Sequence, residues 1–373
     1  MANQVEMIKK IFRENQELAL SLRNLIQKYS EGVAEKLGLD RIKIMNFCGT
    51  HEWTTVHYGL RSLLPESIDL VAGPGCPVCI TPGHYVKVAV KLAMEGTAVY
   101  TYGDTFKLRS AGEGSPRSLS EAKSEGADVR VVYSFLDAIK DARALGKESV
   151  FFGVGFETTV PAYALSFGEK IVPENLKFLN SCRLTPPAMK YTIKLHQERG
   201  LLPIKGVIAP GHVSTVVGAG EWSFLPEDYG LPTVVAGFEP IDVLLAVAQI
   251  LLMLKNNVPD VKIEYRRLVS WEGNPEAKRM INEVFEPCFA AWRGLGFIPR
   301  SGLKLREDYL GFDALESFGI PDVSPEDYVY THAHHGEPKQ SDLPPNCRCA
   351  EVVTGIAKPT ECPLFMRGCT PSN

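Results

Sequence analysis

The sequence predicts an α/β protein built of two parallel-sheet α/β domains plus a smaller C-terminal cysteine-rich domain, and three observations carry that reading. Seven apolar, largely β-branched runs bounded by Gly and Pro have the length and continuity of strands covered on both faces. They are RIKIMNF (41–47), SIDLVAG (67–73), TAVYTY (97–102), ADVRVVY (127–133), SVFFGVG (149–155), IKGVIAPG (204–211) and PTVVAGF (232–238). Between them PGHYVKVAVKLAMEG, FLDAIKDARALG and PPAMKYTIKLHQERG space their apolar residues near the helical period and carry Pro or Gly at their ends. Last, four of the nine cysteines fall within the 23 residues from Cys347 to Cys369, where large apolar residues are too few to build a core.

Taken in order, residues 1–40 form a helical segment ending in Gly, expected to pack on the rest of the chain. Residues 41–145 and 146–245 each hold several strand–helix units and share a Gly-Phe-Glu, at 155–157 and 237–239, so they are assigned as the first and second α/β domains. Ser118 followed by Glu121 reads as a capping box, with the next strand starting at Ala127. Ile241 to Leu254 is the most apolar stretch, but Asp242 and Gln249 interrupt it and it falls short of the ~20 residues of a bilayer crossing, so it is expected to be a buried helix. Residues 246–373 make the third region, with a helix expected around Glu276 to Trp292 before a Pro- and Cys-rich tail.

Composition excludes several function classes. The 373 residues are 45% hydrophobic and 23% charged, which supports sizeable cores. Forty Lys and Arg against 44 Asp and Glu give a net charge of -4 with no basic run, against nucleic-acid or anionic-membrane partners. The N-terminus lacks the apolar block and cleavage site of a secretory signal, so a cytoplasmic location is expected. In that reducing compartment clustered thiols point to metal or redox chemistry rather than structural disulfides.

The unusual residues sit just after strands: Cys48-Gly-Thr-His51-Glu52, Cys76-Pro-Val-Cys79, Gly103-Asp104, Gly155-Phe-Glu157-Thr-Thr, Pro210-Gly-His212 and Gly237-Phe-Glu239-Pro. Ligands of open parallel sheets bind at the carboxyl ends of strands, so all six turns are candidates for one cleft. Cys76 and Cys79 can close a disulfide across a Pro-stiffened turn before a helix starting near Gly83, or serve as half of a zinc site. Cys48 can bind a soft metal or act as a nucleophile, with His51 to take its proton and Glu52 to orient His51. Glu157, His212, Asp104 and Glu239 also suit caps and turns. Cys182 and Cys288 read as core residues, and His332, His334 and His335 as a solvated loop. Cys347, Cys349, Cys362 and Cys369 suit an all-thiolate site for zinc or an iron–sulfur cluster. No phosphate-binding loop is present, nor a GxGxxG after the first strand.

In combination CGTHE (48–52), GPGCPVC (73–79), TYGD (101–104), GFETT (155–159), PGHVS (210–214), GFEP (237–240), WRGLGFIPRSGL (292–303), CRC (347–349) and CPLFMRGCTP (362–371) resemble the HypD family of hydrogenase maturation factors, from about residue 41 onward. The resemblance implies a three-domain α/β protein with a [4Fe-4S] cluster in its third, iron–sulfur domain. It implies a scaffold that, with a small HypC-type chaperone and a HypE-type cyanide donor, assembles the Fe(CN)2CO unit of [NiFe]-hydrogenase. By motif, Cys48 matches the iron-binding thiolate with His51 and Glu52 beside it, Cys76 and Cys79 the redox pair, and the tail cysteines the cluster region. Family members usually continue past CTP with a further cysteine-bearing segment, whereas this sequence stops at Asn373. Either Cys347 and Cys349 both serve, or the ligand set extends beyond residue 373. Two other classes compete: an iron–sulfur-linked thiol–disulfide oxidoreductase, which has no use for Cys48 with His51 and Glu52, and a zinc-stabilised binding module, which would be colourless.

Overall fold

The computed structural model describes residues 6–7, 10–110, 114–325 and 342–370, so His332, His334 and His335 lie outside the described residues. The chain forms two units, one of Met1–Gly75, Met189–Pro275 and Val353–Ile356, the other of Cys76–Ala188, Glu276–Val352 and Ala357–Asn373.

The first unit is built on β1 (Ile42–Asn46), β2 (Ile68–Ala72), β7 (Ile204–Pro210), β8 (Thr233–Ala236) and β9 (Val261–Ile263), in the order β2-β1-β7-β8-β9. All four pairings are parallel. β1 is buried along its whole length, Lys43 and Asn46 included, as a strand covered on both faces is. One face receives the helix Pro240–Asn256, whose apolar residues join Ile44, Ile208 and Val234 in a single core, and the helix Gln16–Leu37 packs there too. Asn15 caps that N-terminal helix by accepting from Leu18 N, and Gly38 ends it in the left-handed conformation at φ 63°. Lys36 donates to the carbonyls of Leu254 and Lys255, setting a cation on the open C-terminus of the neighbouring helix.

The second unit holds β3 (Ala98–Thr101), β4 (Val129–Val131), β5 (Ser149–Gly155) and β6 (Leu176–Cys182) in a parallel sheet of order β4-β3-β5-β6. An aromatic core of Tyr100, Phe135, Phe151, Tyr163, Phe167 and Phe178 covers one region of it, and the helix Gly83–Met94 contributes Val86, Ala89 and Leu92 to a second core. Ser118 accepts from Glu121 N as the capping box requires, while the Glu121 carboxylate turns to Arg117 N and Arg109. The unit also carries an antiparallel hairpin, β10 (Phe285–Trp292) with β11 (Gly296–Leu305).

The α/β class with parallel sheets and a small C-terminal region is as expected, and all seven expected strands are present. The grouping of strands is not the expected one. The chain leaves the first unit after Gly75 and returns at Met189, so CGTHE shares a sheet with PGHVS and GFEP, while CPVC and GFETT belong to the other unit. Parallel strands reached by crossovers need not be consecutive neighbours, and nothing in the local pattern of β1 records that β7 will lie beside it. The helix expected over 276–292 stops at Val284 and the chain continues as β10. Pro287 would cost a helix interior both an N–H bond and a steric clash, whereas FEPCFAAW is aromatic enough to pair with GFIPRSGLKL. Strands β6 and β9 were not expected at all.

Leu251, fully buried between helix and sheet, measures that packing. Leu251→Ala should destabilise the first unit by about 2–5 kcal/mol in urea unfolding, the ordinary cost of a core cavity; an unchanged midpoint would contradict the placement of this helix.

Candidate functional site

In the first unit β1 delivers the chain to Cys48. Asn46, buried at the strand's end, accepts from Cys48 N through Oδ1 at 3.3 Å and donates through Nδ2 to Glu52 Oε2 at 3.2 Å. Gly49 N donates to Gly75 O at 2.8 Å. A Cβ on Gly75 would come within 2.3 Å of the Phe47 backbone, so glycine is required for this close approach. Cys48 is the N-cap of the helix Gly49–His57 and is a free, partly exposed thiol. Burial pushes that thiol up, opposed by the N–H groups of His51 and Thr50.

His51 is fully buried. Its Nε2 donates to Ala236 O at 3.2 Å, which leaves Nδ1 as an acceptor with no partner. Burial lowers its pKa to about 4, so the ring is neutral at pH 7. His51 stacks on Phe238 at 4.8 Å between centroids, and His212, exposed on the first turn of the helix Gly211–Val217, lies 4.0 Å from the same ring. Partial burial also lowers the His212 pKa. Thr54 Oγ1 donates to Phe238 O at 2.6 Å. The carboxyl ends of β1, β7 and β8 thus bring CGTHE, PGHVS and GFEP together around Phe238.

Glu52 does not orient His51. Its carboxylate takes both Arg61 Nη1 and Nη2, at 2.9 and 2.8 Å, a bidentate pair that closes the turn below the strand end. Glu239 caps the helix Pro240–Asn256 together with Asp242.

In the second unit Cys76 and Cys79 are joined as a disulfide, with Cα atoms 5.3 Å apart, in the turn before the helix that begins at Gly83. Glu157 is buried and accepts from Thr185 N at 2.7 Å and Thr185 Oγ1 at 2.8 Å, fixing the start of the helix Thr185–Glu198. Asp104 caps the 3-10 turn Thr105–Lys107. Cys182 is buried as expected, and Cys288 is half-buried on β10.

The four tail thiols are neighbours. Cys347 is held down to about 6, chiefly by a hydrogen bond from the Cys349 thiol, with Cys362 also hydrogen-bonded to it and Arg293 nearby. Cys349 is pushed up by that same bond and by burial, and it feels Cys369. Arg348 N donates to Cys362 Sγ at 3.5 Å. Among the described residues no group of three or more His, Cys, Asp and Glu side chains is arranged to hold a metal ion. The donors offered by this tail are all thiols, and sulfur is a soft ligand that favours soft metals over a hard cation.

Sequence reasoning missed Asn46, Arg61 and Glu264, none of which carries a motif of its own, and Phe238 entered only as a spacer of Gly237-Phe-Glu239-Pro. Asp242 was visible only as an interruption in an apolar helix, and a charge in such a place is a sign of a buried partner.

Free and paired thiols on parallel-sheet units define a thiol-rich α/β protein. The particular family follows from comparison: residues 22–373 match HypD, described as the Hydrogenase formation hypA family, and the chain belongs to it. It is 41% identical over 358 residues to a hydrogenase expression/formation protein of Methanocaldococcus jannaschii, covering 94% of this chain and 92% of the relative. It is also 38% identical over 343 residues to the hydrogenase maturation factor HypD of Cupriavidus necator, covering 89% and 85%. The HypD of Rhodobacter capsulatus is 38% identical over 335 residues, covering 88% and 84%.

The buried, neutral His51 has a consequence for acid stability. Its folded pKa of about 4 lies below the ordinary 6.5, so its contribution is complete above pH 6.5 and is lost as pH falls toward 4. About 3 kcal/mol of the first unit's stability should disappear over that window, and His51→Asn should flatten the slope in unfolding measured at pH 7 and pH 4.5. An unchanged slope in the variant would show that His51 is not the group responsible.

Proposed function

We propose that this chain acts in hydrogenase maturation as the scaffold on which the Fe(CN)2CO unit of [NiFe]-hydrogenase is assembled, with the Cys48 thiolate as ligand of the iron that is its cargo. The observation that carries the reading is Cys48 itself: a free, partly open thiol at the carboxyl end of a central strand and at a helix N-terminus, in the CGTHE motif of a HypD-family chain. Sulfur is a soft donor suited to low-spin iron carrying π-accepting cyanide and carbon monoxide. His51 and His212 would line the cargo's surroundings through Phe238, the first as a neutral ring. Glu52 and Glu157 would act by fixing backbone and guanidinium positions, not by moving protons.

A small HypC-type chaperone and a HypE-type cyanide donor are the partners this reading requires, and the cytoplasm is its place. Neither nucleic acid nor membrane is needed, in keeping with the net charge of -4 and with the absence, among the described residues, of a helix long and apolar enough to cross a bilayer. Cys347, Cys349, Cys362 and Cys369 would hold a [4Fe-4S] cluster, which when bound supplies single electrons. Cys76 and Cys79 would exchange two electrons between disulfide and dithiol. The closed Cys76–Cys79 pair also favours a second reading, an iron–sulfur-linked thiol–disulfide oxidoreductase, but that activity gives Cys48 no part.

Infrared spectra of the protein co-expressed with its small chaperone distinguish the two. Cys48→Ser should abolish the CN and CO stretching bands while leaving cluster absorption unchanged; bands that persist would place the iron elsewhere. Anaerobic analysis should find iron and acid-labile sulfide in a ratio of about one to one. Stoichiometric zinc without sulfide would remove the cluster from the reading.

A further inference from the structure

Two buried carboxyl groups underlie the Gly237–Glu239 loop in the first unit. Asp242 is fully buried, and the Glu264 side chain is 4% exposed. Among the described residues one cation serves them: Arg267 Nη2 lies 2.6 Å from Asp242 Oδ2, and its Nη1 lies 3.9 Å from Glu264 Oε1. Two ionised carboxylates against a single guanidinium would leave a net buried charge, which is the costly arrangement. Asp242 Oδ1 is also buried and meets no ordinary N–H or O–H donor. Glu264 and Asp242 interact side chain to side chain, and a proton on Glu264 would offer Asp242 a donor and remove the excess charge together.

The pair grips the loop by its backbone. Gly237 N donates to Glu264 Oε2 at 3.0 Å, and Glu239 N donates to Asp242 Oδ2 at 3.1 Å. A Cβ at Gly237 would sit 2.2 Å from Asp242 Oδ2 and 2.6 Å from Arg267 Nη2, so the loop is seated directly on the pair. Between those two anchors stands Phe238, with His51 and His212 against its ring, and just before them Ala236 O receives the His51 proton.

We propose that Asp242 and Glu264 share one proton beneath Arg267 and that this carboxyl pair is a positioning device, setting through the Gly237–Glu239 backbone the places of Phe238, His51 and His212. The role rests on the reading of this strand-end region as the iron site, whereas the shared proton is a property of the chain alone. Burial, and then Asp242, raise Glu264 to about 7, so the proton is held at pH 6 and released over the pH units above neutrality. Tyr265 and Arg267 face the pair from its own segment, His51 from the helix Gly49–His57, and Glu239 from the loop, with Arg13 3.8 Å from Glu239. None of these carries a second positive charge onto the carboxyls at pH 7, because His51 is neutral and Arg13 is engaged by Tyr58 and Glu239.

The test uses the full chain without iron. Infrared difference spectra should show a protonated carboxyl stretch that is present at pH 6, is lost as pH rises through about 7, and is missing in Glu264→Gln. The amide of that variant keeps a donor for Asp242 Oδ1 and an acceptor for Gly237 N, so its fold should be retained. In parallel, the His51 Nε2–H resonance should shift through the same pH window in the wild type and stay fixed in Glu264→Gln. A wild-type chain with no such carboxyl band, or a band that survives in the variant, overturns the shared proton. A His51 resonance that ignores the wild-type titration overturns the positioning role. Both readings are obtained from the wild-type titration even if the variant is poorly folded. Neither depends on CN or CO bands, so failure of the iron reading and failure of the carboxyl pair are seen separately.

Discussion

Four backbone groups of Ala236–Glu239 make demands that the first unit is organised to meet. The carbonyls of Ala236 and Phe238 accept from His51 and Thr54, and the N–H groups of Gly237 and Glu239 donate to Glu264 and Asp242. A buried backbone group left unpaired costs about 1–3 kcal/mol, more than an ordinary hydrogen bond gains. Four polar side chains therefore stand where an apolar core would otherwise continue, and each is fixed in place by the bond it makes. The helix that begins at Cys48 is tied by two of them to the end of β8, so the thiol's position follows from how a loop 190 residues further along the chain satisfies its backbone.

The fold was legible where local pattern and burial coincide. β1, β5 and β8 are buried throughout, and each lies in an apolar run bounded by turn residues, although β1 carries the buried Lys43 and Asn46. LKFLNSC over Leu176–Cys182 was not among the expected strands; Lys177 reaches out to Gly311 O and Asn180 donates to Leu303 O, so each polar residue has a partner distant in sequence. The interleaving of the two units was not legible for a related reason. A strand buried on both faces records that it has neighbours but not which ones, and β1 pairs with β2 and with β7 in the same parallel manner.

Chemistry-bearing residues were found by their place after strands, and that rule cannot separate a reactive group from a structural one. Glu52, Glu157 and Asp104 satisfy it, and the structure commits them to Arg61, Thr185 and Thr105. The pairing of Asp242 with Glu264 spans 22 residues and involves no motif, so only the folded chain brings it into view. Its trace in the sequence is indirect: an acid in a helix of mean apolar character, and a glycine at 237 where any side chain would collide with it.

The division of labour among donor atoms then has a physical basis. Hard oxygen donors near the strand ends are consumed by backbone N–H groups, hydroxyls and guanidinium groups, each of which binds an ionised carboxylate strongly. Sulfur is a weak hydrogen-bond partner, receiving contacts from Thr50 and His51 at Cys48 and from the Arg348 N–H at Cys362, and Cys48 and the four tail cysteines remain as free thiols. What this leaves for an incoming group is a soft donor set held on a framework stiffened by hard ones. A divalent cation that prefers carboxylates would have to dismantle the helix caps and ion pairs to bind, whereas a group that prefers sulfur would meet thiols whose engagement breaks none of those carboxylate contacts.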